Sequence, residues 1–143
     1  MPGHAPAEHR LWLVYWAREV DHGLRLGVLV SGGGTNLQAI LDAVADGRLA
    51  AQVALVVSDR PGVKALDRAA AAGVPSVVLR VRDYADRDAY SAAVAAALTE
   101  QGVDTVVFAG FVKILTQPML DAYGGRMVNT HPALLPSFGG PGM

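Results

Sequence analysis

The sequence predicts an α/β fold in which helices cover both faces of a mostly parallel sheet. Short apolar runs alternate along the chain with segments whose apolar residues recur at helical spacing, and this alternation is typical of such sheets. Turns rich in glycine and proline separate the segments. Hydrophobic residues make up 52% of the 143 positions, which is enough to fill the core of a single domain.

The first strand and the first helix flank a run of three glycines. The apolar run 24–30 predicts a strand, and Leu37, Ile40 and Leu41 have the spacing of one helix face. Between them lies Ser31-Gly32-Gly33-Gly34-Thr35-Asn36, which predicts a turn whose last residues begin the helix.

The later segments repeat this alternation. Tyr90, Val94 and Leu98 recur at every fourth position in a helix that Asp86 caps, and Gly73 closes the helix before it. Right-handed crossovers place the loops that follow the strands along one edge of the sheet, where ligands bind. The predicted helices are 35–43, 63–72, a segment from Asp86 to near Gly102, and 117–123. The predicted strands are 24–30, 51–58, 74–81, 103–109 and 126–130.

The glycine-rich turn has the chemistry of an anion site. The Thr35 hydroxyl and the Asn36 amide lie beside free N–H groups at the positive end of the helix dipole. No lysine follows the glycines, as a P-loop requires, and Leu37 stands where a dinucleotide fingerprint has glycine or alanine. The turn therefore favours a phosphate over an adenylate cofactor, and a plain strand-to-helix turn is the alternative.

Two side chains with catalytic potential follow the fifth predicted strand. Strand alternation points Asn129 and His131 the same way, with Thr130 opposed. An amide donor suits a developing oxyanion, and an imidazole exchanges protons near neutral pH. A structural histidine beside a turn-forming asparagine is the alternative, but the position at the ligand-binding edge of the sheet favours catalysis.

The segment 109–115 follows the fourth predicted strand and combines Gly110, several apolar residues and Lys113. Such a segment is able to wall a pocket for a flat aromatic ligand, with its backbone reading the edge of a heterocycle. A loop tucked under the core is the alternative, and the residues alone do not separate the two.

Composition argues against several classes of function. The 12 basic and 13 acidic residues form no block of like charge, so neither nucleic acid nor a membrane is expected as a partner. The sequence contains no cysteine, which removes disulfides, thiolate nucleophiles and sulfur-ligated metals and fits a cytoplasmic protein. No two of His4, His9 and His22 have the spacing that places two ligands on one helix face, so no metal is expected.

Residues 1–23 are expected to form an N-terminal extension, poorly ordered or docked on the domain that spans 24–143. The apolar run 11–16 is too short for a membrane span or a signal-peptide core. A short strand, the start of a helix and a self-association patch are all compatible with it.

Three separated motifs resemble the phosphoribosylglycinamide formyltransferase family. They are 28–40, 109–115 and 129–136, in that order, and the resemblance runs from about Leu24 to the end of the chain. It implies a Rossmann-like formyltransferase fold and a cytoplasmic enzyme of purine biosynthesis. The implied reaction transfers a formyl group from 10-formyltetrahydrofolate, a co-substrate, to the amine of 5-phosphoribosylglycinamide. A homodimer is left open.

The resemblance also implies roles for individual residues. Gly34, Thr35 and Asn36 would bind the phosphate of the ribonucleotide, and Asn129 and His131 would be the catalytic pair. The residues it assigns to folate binding are Arg87, Val112, Lys113, Ile114, Leu115 and Asn129.

Two features depart from the family pattern. Val112 and Lys113 replace a more usual methionine and arginine but keep apolar and cationic character. The family continues for several tens of residues beyond the loop at Pro136, with further strands and an aspartate that partners the histidine, so an incomplete domain without C-terminal strands is expected. A truncated, inactive phosphate-binding fragment, or a related folate-dependent formyltransferase or deformylase, is therefore the alternative function.

Overall fold

The computed structural model describes residues 23–111, 113 and 115–130. These residues form five strands, which are β1 (Leu24–Val30), β2 (Ala51–Ser58), β3 (Ser76–Val78), β4 (Thr105–Phe108) and β5 (Met127–Asn129). Their four α-helices are α1 (Thr35–Ala45), α2 (Lys64–Ala71), α3 (Arg87–Glu100) and α4 (Gln117–Tyr123), and a 3-10 turn at Val81–Asp83 precedes α3. The predicted alternation of strands and helices is confirmed.

The five strands are all parallel and lie in the order β3-β2-β1-β4-β5. β1 is the central strand, and five of its seven residues are buried because helices cover it from both sides. The chain winds outward from β1 to β3 and then crosses back to β4. The direction of winding therefore changes at the carboxyl ends of β1 and β4, the kind of switch point at which ligands bind in such sheets.

Two hydrophobic layers cover the two faces of the sheet. Val28 and Val30 of β1 enter one layer and Leu29 enters the other, because successive strand residues point to opposite faces. This two-sided covering confirms the predicted fold class. The helical residues that complete the layers are Leu37, Leu41, Ala65 and Ala69 of α1 and α2 on one face, and Tyr90, Val94, Leu98, Met119 and Tyr123 of α3 and α4 on the other.

Two predicted helix boundaries have the expected chemistry. The Asp86 carboxylate accepts a hydrogen bond from the Ala89 N–H at 2.8 Å, so Asp86 is the N-cap of α3. α2 ends at Ala71, and Gly73 then adopts a φ of +72°, the left-handed conformation that glycine supplies after a helix.

The third strand is shorter than predicted. The prediction covers 74–81, but β3 spans Ser76–Val78 and the backbone soon forms the 3-10 turn. The neighbouring strand β2 ends at Ser58, whose carbonyl accepts a hydrogen bond from the Leu79 N–H at 2.9 Å. Because β2 offers no partner beyond that point, the apolar residues that follow leave the sheet.

Several predictions concern residues outside the described ranges. The N-terminal extension over 1–23 is one of them, apart from Gly23, and the loop that begins at Pro136, after which the family's further strands are expected to be absent, is another. Within the described ranges, no helix has the length and apolar character needed to cross a membrane. The same ranges hold no cluster of three or more His, Cys, Asp or Glu side chains arranged for a metal ion.

Candidate functional site

Three chain segments meet at the carboxyl edge of the sheet. They are the glycine-rich turn (31–34) after β1, the segment after β4 that begins at Ala109, and the end of β5. Leu29 pairs with Phe108, and Phe108 pairs with Asn129, so the three strands end at the same level. Two strand spacings separate Asn129 from β1, a distance of about 10 Å. The predicted convergence of these loops is confirmed by the strand order.

Gly34 joins the glycine-rich turn to α1. Its φ of +78° lies in the left-handed region that glycine favours. A Cβ at this position would lie 2.7 Å from the Ala65 Cβ and 2.8 Å from the Ala65 Cα, because α2 packs directly against the turn. Nothing lies within 4 Å of the equivalent point on Gly32 or Gly33. Packing therefore requires one glycine, and the other two leave the backbone open to a ligand.

Hydrogen bonds from α2 also fix the glycine-rich turn. The Ala65 N–H donates to the Gly32 carbonyl at 3.1 Å. The Arg68 guanidinium donates from Nε to the Gly33 carbonyl at 2.8 Å and from Nη1 to Gln38 Oε1 at 3.2 Å. Arg68 thus links α2, the turn and α1, and it brings a positive charge close to the turn.

The start of α1 has the electrostatics of an anion site. Gly34 is the N-cap residue and provides no side-chain hydrogen bond, and the first turn of α1 contains no acidic residue. The first intrahelical bond runs from the Gln38 N–H to the Gly34 carbonyl at 2.8 Å. The N–H groups of Thr35 and Asn36 therefore lie at the positive end of the helix without a carboxylate of that turn competing for them. This is the environment in which proteins bind phosphate.

The segment after β4 begins with a hydrogen bond to β1 and a glycine in the left-handed conformation. The Ala109 N–H donates to the Leu29 carbonyl at 2.8 Å, and Gly110 then adopts a φ of +82°. Phe111 packs edge-to-face on Phe108, with the ring centroids 6.0 Å apart and an interplanar angle of 78°. The segment is therefore packed on the end of its own strand.

Of the predicted folate-binding residues in this segment, Lys113 and Leu115 are described, whereas Val112 and Ile114 lie outside the described residues. Lys113 is partly exposed, and its Nζ lies 3.5 Å from Oδ2 of the buried Asp59. Leu115 is half-buried and packs against the hydrophobic layer of α3 and α4. Both described side chains thus have a structural role in addition to any contact with a ligand.

Asn129 is exposed at the end of β5. Its neighbour Thr130 donates to the Phe108 carbonyl twice, from its N–H at 3.0 Å and from Oγ1 at 3.1 Å, which fixes the backbone just beyond Asn129. A cavity of about 250 Å³ lined by Phe108, Met127, Val128 and Asn129 adjoins this end of the strand. The strand end is therefore held in place while the Asn129 amide stays accessible.

Arg87 is the first residue of α3, and its side chain is exposed. Thr116, which follows the segment after β4, joins that segment to the start of α3. Its Oγ1 donates to the Arg87 carbonyl at 3.5 Å and also to the Asp88 carboxylate, and its N–H donates to Ser91 Oγ at 2.7 Å. Arg87 and the segment after β4 therefore belong to one connected unit.

Two residues at this edge, Arg68 and Asp59, do not stand out in the sequence. Arg68 falls within a regular helical pattern, and Asp59 opens a run, 59–62, with the composition of a turn. Arg68 reaches the glycine-rich turn because α2 lies beside that turn. Asp59 reaches Lys113 because β2 and β4 lie on the two sides of β1. The sequence offers one weak indication of the role of Asp59, which is that an acidic residue directly follows a buried strand.

His131, predicted to be catalytic, lies outside the described residues.

Comparison with protein families gives a match over most of the chain. Residues 24–142 match the family described as Formyl transferase. Among solved structures, the chain is similar to glycinamide ribonucleotide transformylase 1 from Symbiobacterium toebii, at 47% identity and a TM-score of 0.75, with 80% of this chain and 54% of that one covered. It is also similar to glycinamide ribonucleotide transformylase 1 from Geobacillus kaustophilus, at 44% identity and a TM-score of 0.74, with 82% and 62% covered.

Curated relatives show the same similarity at partial length. The phosphoribosylglycinamide formyltransferase of Bacillus subtilis is 34% identical over 116 residues, which are 81% of this chain and 60% of that protein. The trifunctional purine biosynthetic protein adenosine-3 of Drosophila melanogaster is 44% identical over 118 residues, which are 81% of this chain and 9% of that protein. The chain therefore spans 54% to 62% of these single-enzyme relatives and a much smaller part of the trifunctional one.

Proposed function

The chain belongs to the formyl transferase family, and from this premise we propose that it transfers a formyl group from 10-formyltetrahydrofolate to the amine of 5-phosphoribosylglycinamide. Relatives that bear the names phosphoribosylglycinamide formyltransferase and glycinamide ribonucleotide transformylase support this choice of reaction. The observation that carries the proposal is the open backbone at Gly32 and Gly33, which leads into the uncapped start of α1 at the same sheet edge as Asn129.

The glycine-rich turn and the start of α1 bind the phosphate of the acceptor. Gly34, Thr35 and Asn36 offer backbone N–H groups at the positive end of α1, and the side chains of Thr35 and Asn36 add further hydrogen-bond donors. Arg68, which donates to the Gly33 carbonyl, adds a positive charge close by. The backbone N–H groups, the two side chains and the Arg68 charge all favour the binding of a dianionic phosphate. An adenylate cofactor is not favoured, because the turn lacks the glycine pattern of dinucleotide-binding sites.

The segment after β4 and the start of α3 bind the formyl donor. The apolar residues Val112, Ile114 and Leu115 and the backbone at Lys113 wall the pocket for the flat pterin ring. The exposed guanidinium of Arg87 pairs with the carboxylates of the folate tail. The hydrogen bonds of Thr116 to the start of α3 support this arrangement, because they join the two parts into one unit.

Asn129 and His131 carry the chemistry. The substrate amine attacks the formyl carbon, a C–N bond forms, and negative charge develops on the formyl oxygen, where the Asn129 amide and the His131 imidazole donate hydrogen bonds. The bond from the formyl carbon to the folate nitrogen then breaks. The proton that the amine gives up passes through His131 to that departing nitrogen. The products are the formylated amide and tetrahydrofolate.

The choice of acceptor follows from size and charge. Methionyl-tRNA and water are the acceptors of related folate-dependent reactions. The near balance of 12 basic and 13 acidic residues offers no basic stripe for tRNA, and a phosphate site would have no use in a hydrolase that acts on the donor alone. A small phosphorylated amine fits both observations.

A transfer assay with three acceptors tests the proposal. The 143-residue chain is incubated with 10-formyltetrahydrofolate and with 5-phosphoribosylglycinamide, with methionyl-tRNA, or with no acceptor other than water. Calorimetry measures the binding of the phosphorylated amine and of methionyl-tRNA. We expect binding of the phosphorylated amine, competed by inorganic phosphate, and transfer to it alone. Preferred transfer to either other acceptor would contradict the choice of substrate. Binding without turnover would establish the inactive phosphate-binding fragment instead.

A further inference from the structure

Asp59 is a charged side chain buried at the carboxyl edge of the sheet. It follows β2 directly, its side chain is 0% exposed, and neither carboxylate oxygen has a hydrogen-bond partner among the described residues. Burial of a carboxylate without a partner is strongly unfavourable. The cation beside it is Lys113, whose Nζ lies 3.5 Å from Oδ2 and which is itself 38% exposed.

The surroundings of Asp59 do not replace this cation. The Ser58 hydroxyl donates to the Arg60 carbonyl at 2.7 Å and accepts from the Arg60 N–H at 3.1 Å, so the turn around Asp59 closes on itself. The Tyr90 hydroxyl donates its hydrogen bond to the Leu79 carbonyl at 2.8 Å and not to Asp59. Burial and, second, the negative charge of Asp59 raise the pKa of Tyr90. Among these groups, the Lys113 ammonium is the one that balances the charge of the carboxylate.

The ion pair spans the carboxyl end of β1. β2 and β4 lie on opposite sides of β1, two strand spacings or about 10 Å apart. The Asp59 N–H donates to the Val30 carbonyl at 3.3 Å, and the Ala109 N–H donates to the Leu29 carbonyl at 2.8 Å, so both flanking chains are tied to the end of β1. The Lys113 ammonium, which belongs to the chain that follows β4, meets the Asp59 carboxylate, which belongs to the chain that follows β2. The ion pair therefore bridges the edge from which the glycine-rich turn leaves.

We propose that Asp59 and Lys113 are positioning residues, and that their ion pair anchors the segment after β4 across the sheet edge. The Lys113 charge is committed to Asp59, so Lys113 acts on the formyl donor through the placement of its backbone and not as a direct cationic ligand. The effect of Lys113 on the formyl donor rests on the proposed function, whereas the anchoring of the segment by the Asp59–Lys113 ion pair does not. A displacement of about 1 Å in a substrate-positioning segment is enough to cost about 10²-fold in rate.

Hydrogen exchange in the full chain tests the anchor without reference to activity. Lys113→Met leaves the carboxylate without its cation, and we expect the amides of the segment after β4 to exchange at least about tenfold faster. Lys113→Arg keeps the charge and is expected to stay near the wild-type rate. Adding Asp59→Asn to Lys113→Met removes the charge that needs balancing, so slow exchange returns. Lys64→Met is the matched control, because Lys64 is the other lysine of the chain and is exposed. It is expected to leave the exchange rates of the segment after β4 unchanged.

Steady-state kinetics of the same variants provide the second measurement. We expect Lys113→Met to raise KM for 10-formyltetrahydrofolate by about tenfold or more, with KM for the phosphorylated amine nearly unchanged and with recovery in the double variant. Unaltered exchange in Lys113→Met would overturn the anchor. Slow exchange in the double variant without recovery of the donor KM would identify Lys113 as a direct ligand and also overturn the proposal. If the variants show the expected differences in hydrogen exchange but the wild-type chain transfers no formyl group, the proposed function is refuted and the anchor is still supported.

Discussion

Gly34→Ala is expected to destabilise the domain because α2 leaves no room for a side chain at the start of α1. The new methyl carbon would lie 2.7 Å from the Ala65 Cβ and 2.8 Å from the Ala65 Cα, well inside a contact distance of about 3.5–4.0 Å. Overpacking of this kind costs about 1–3 kcal/mol. The left-handed φ of +78° adds about 1–2 kcal/mol for alanine. The sum is a loss of roughly 2–5 kcal/mol in the free energy of unfolding.

Urea unfolding followed by circular dichroism measures this loss, and Gly33→Ala is the matched control. Gly33 lies one residue earlier, has nothing within 4 Å of its missing Cβ and does not adopt a positive φ. Its substitution is therefore expected to change the free energy of unfolding by less than about 1 kcal/mol. Equal stability of the two variants would mean that α2 does not pack against the glycine-rich turn, contrary to this expectation.

Substitutions of Arg68, Tyr90 and Asn129 test three other parts of the domain. Arg68→Met removes the hydrogen bonds to Gly33 and Gln38 and is expected to raise KM for the phosphorylated amine by about tenfold. Arg68→Lys is expected to give an intermediate KM, because lysine keeps the charge but not the planar guanidinium that donates both hydrogen bonds. Burial is the main cause that raises the pKa of Tyr90 above its ordinary 10.0, so the folded state keeps the proton longer than the unfolded state. The stability that depends on it is complete below about pH 10 and is lost as the pH rises further. Tyr90→Phe should remove this part of the loss of stability above about pH 10, which is measured as the fall of the urea midpoint with rising pH. A fall as steep in Tyr90→Phe as in the wild type would contradict the role of Tyr90. Asn129→Ala is expected to lower kcat by about 10²–10³-fold with little change in KM, and a near-normal kcat would exclude Asn129 from the chemistry.

The order of the elements is predictable from the sequence because it depends on local patterns. β2 and α4 have the predicted bounds, Ala51–Ser58 and Gln117–Tyr123, since apolar runs and turn residues mark both ends. The edge strands are shorter than predicted. β3 stops where β2 stops, because the length of its neighbour, and not its own apolar content, decides how far pairing extends.

The candidate site is predictable only in part. Three glycines before a helical pattern locate the turn, which is a local feature. The roles of Arg68 and Asp59 depend on which elements are neighbours in space. α2 reaches the turn because β2 pairs with β1, and Asp59 meets Lys113 because β2 and β4 flank the same strand. The catalytic role of His131 stays a prediction from strand alternation and from the family resemblance.

One molecule of 5-phosphoribosylglycinamide should be held between the start of α1 and the end of β5. Titration of the isotope-labelled 143-residue chain, followed by NMR of its backbone amides, tests this most directly. We expect the amides of Gly34, Thr35, Asn36 and Asn129 to shift together with a single Kd, and inorganic phosphate to shift the first three alone. A titration that leaves Asn129 unchanged, or that moves it with a different Kd, would contradict a shared cleft.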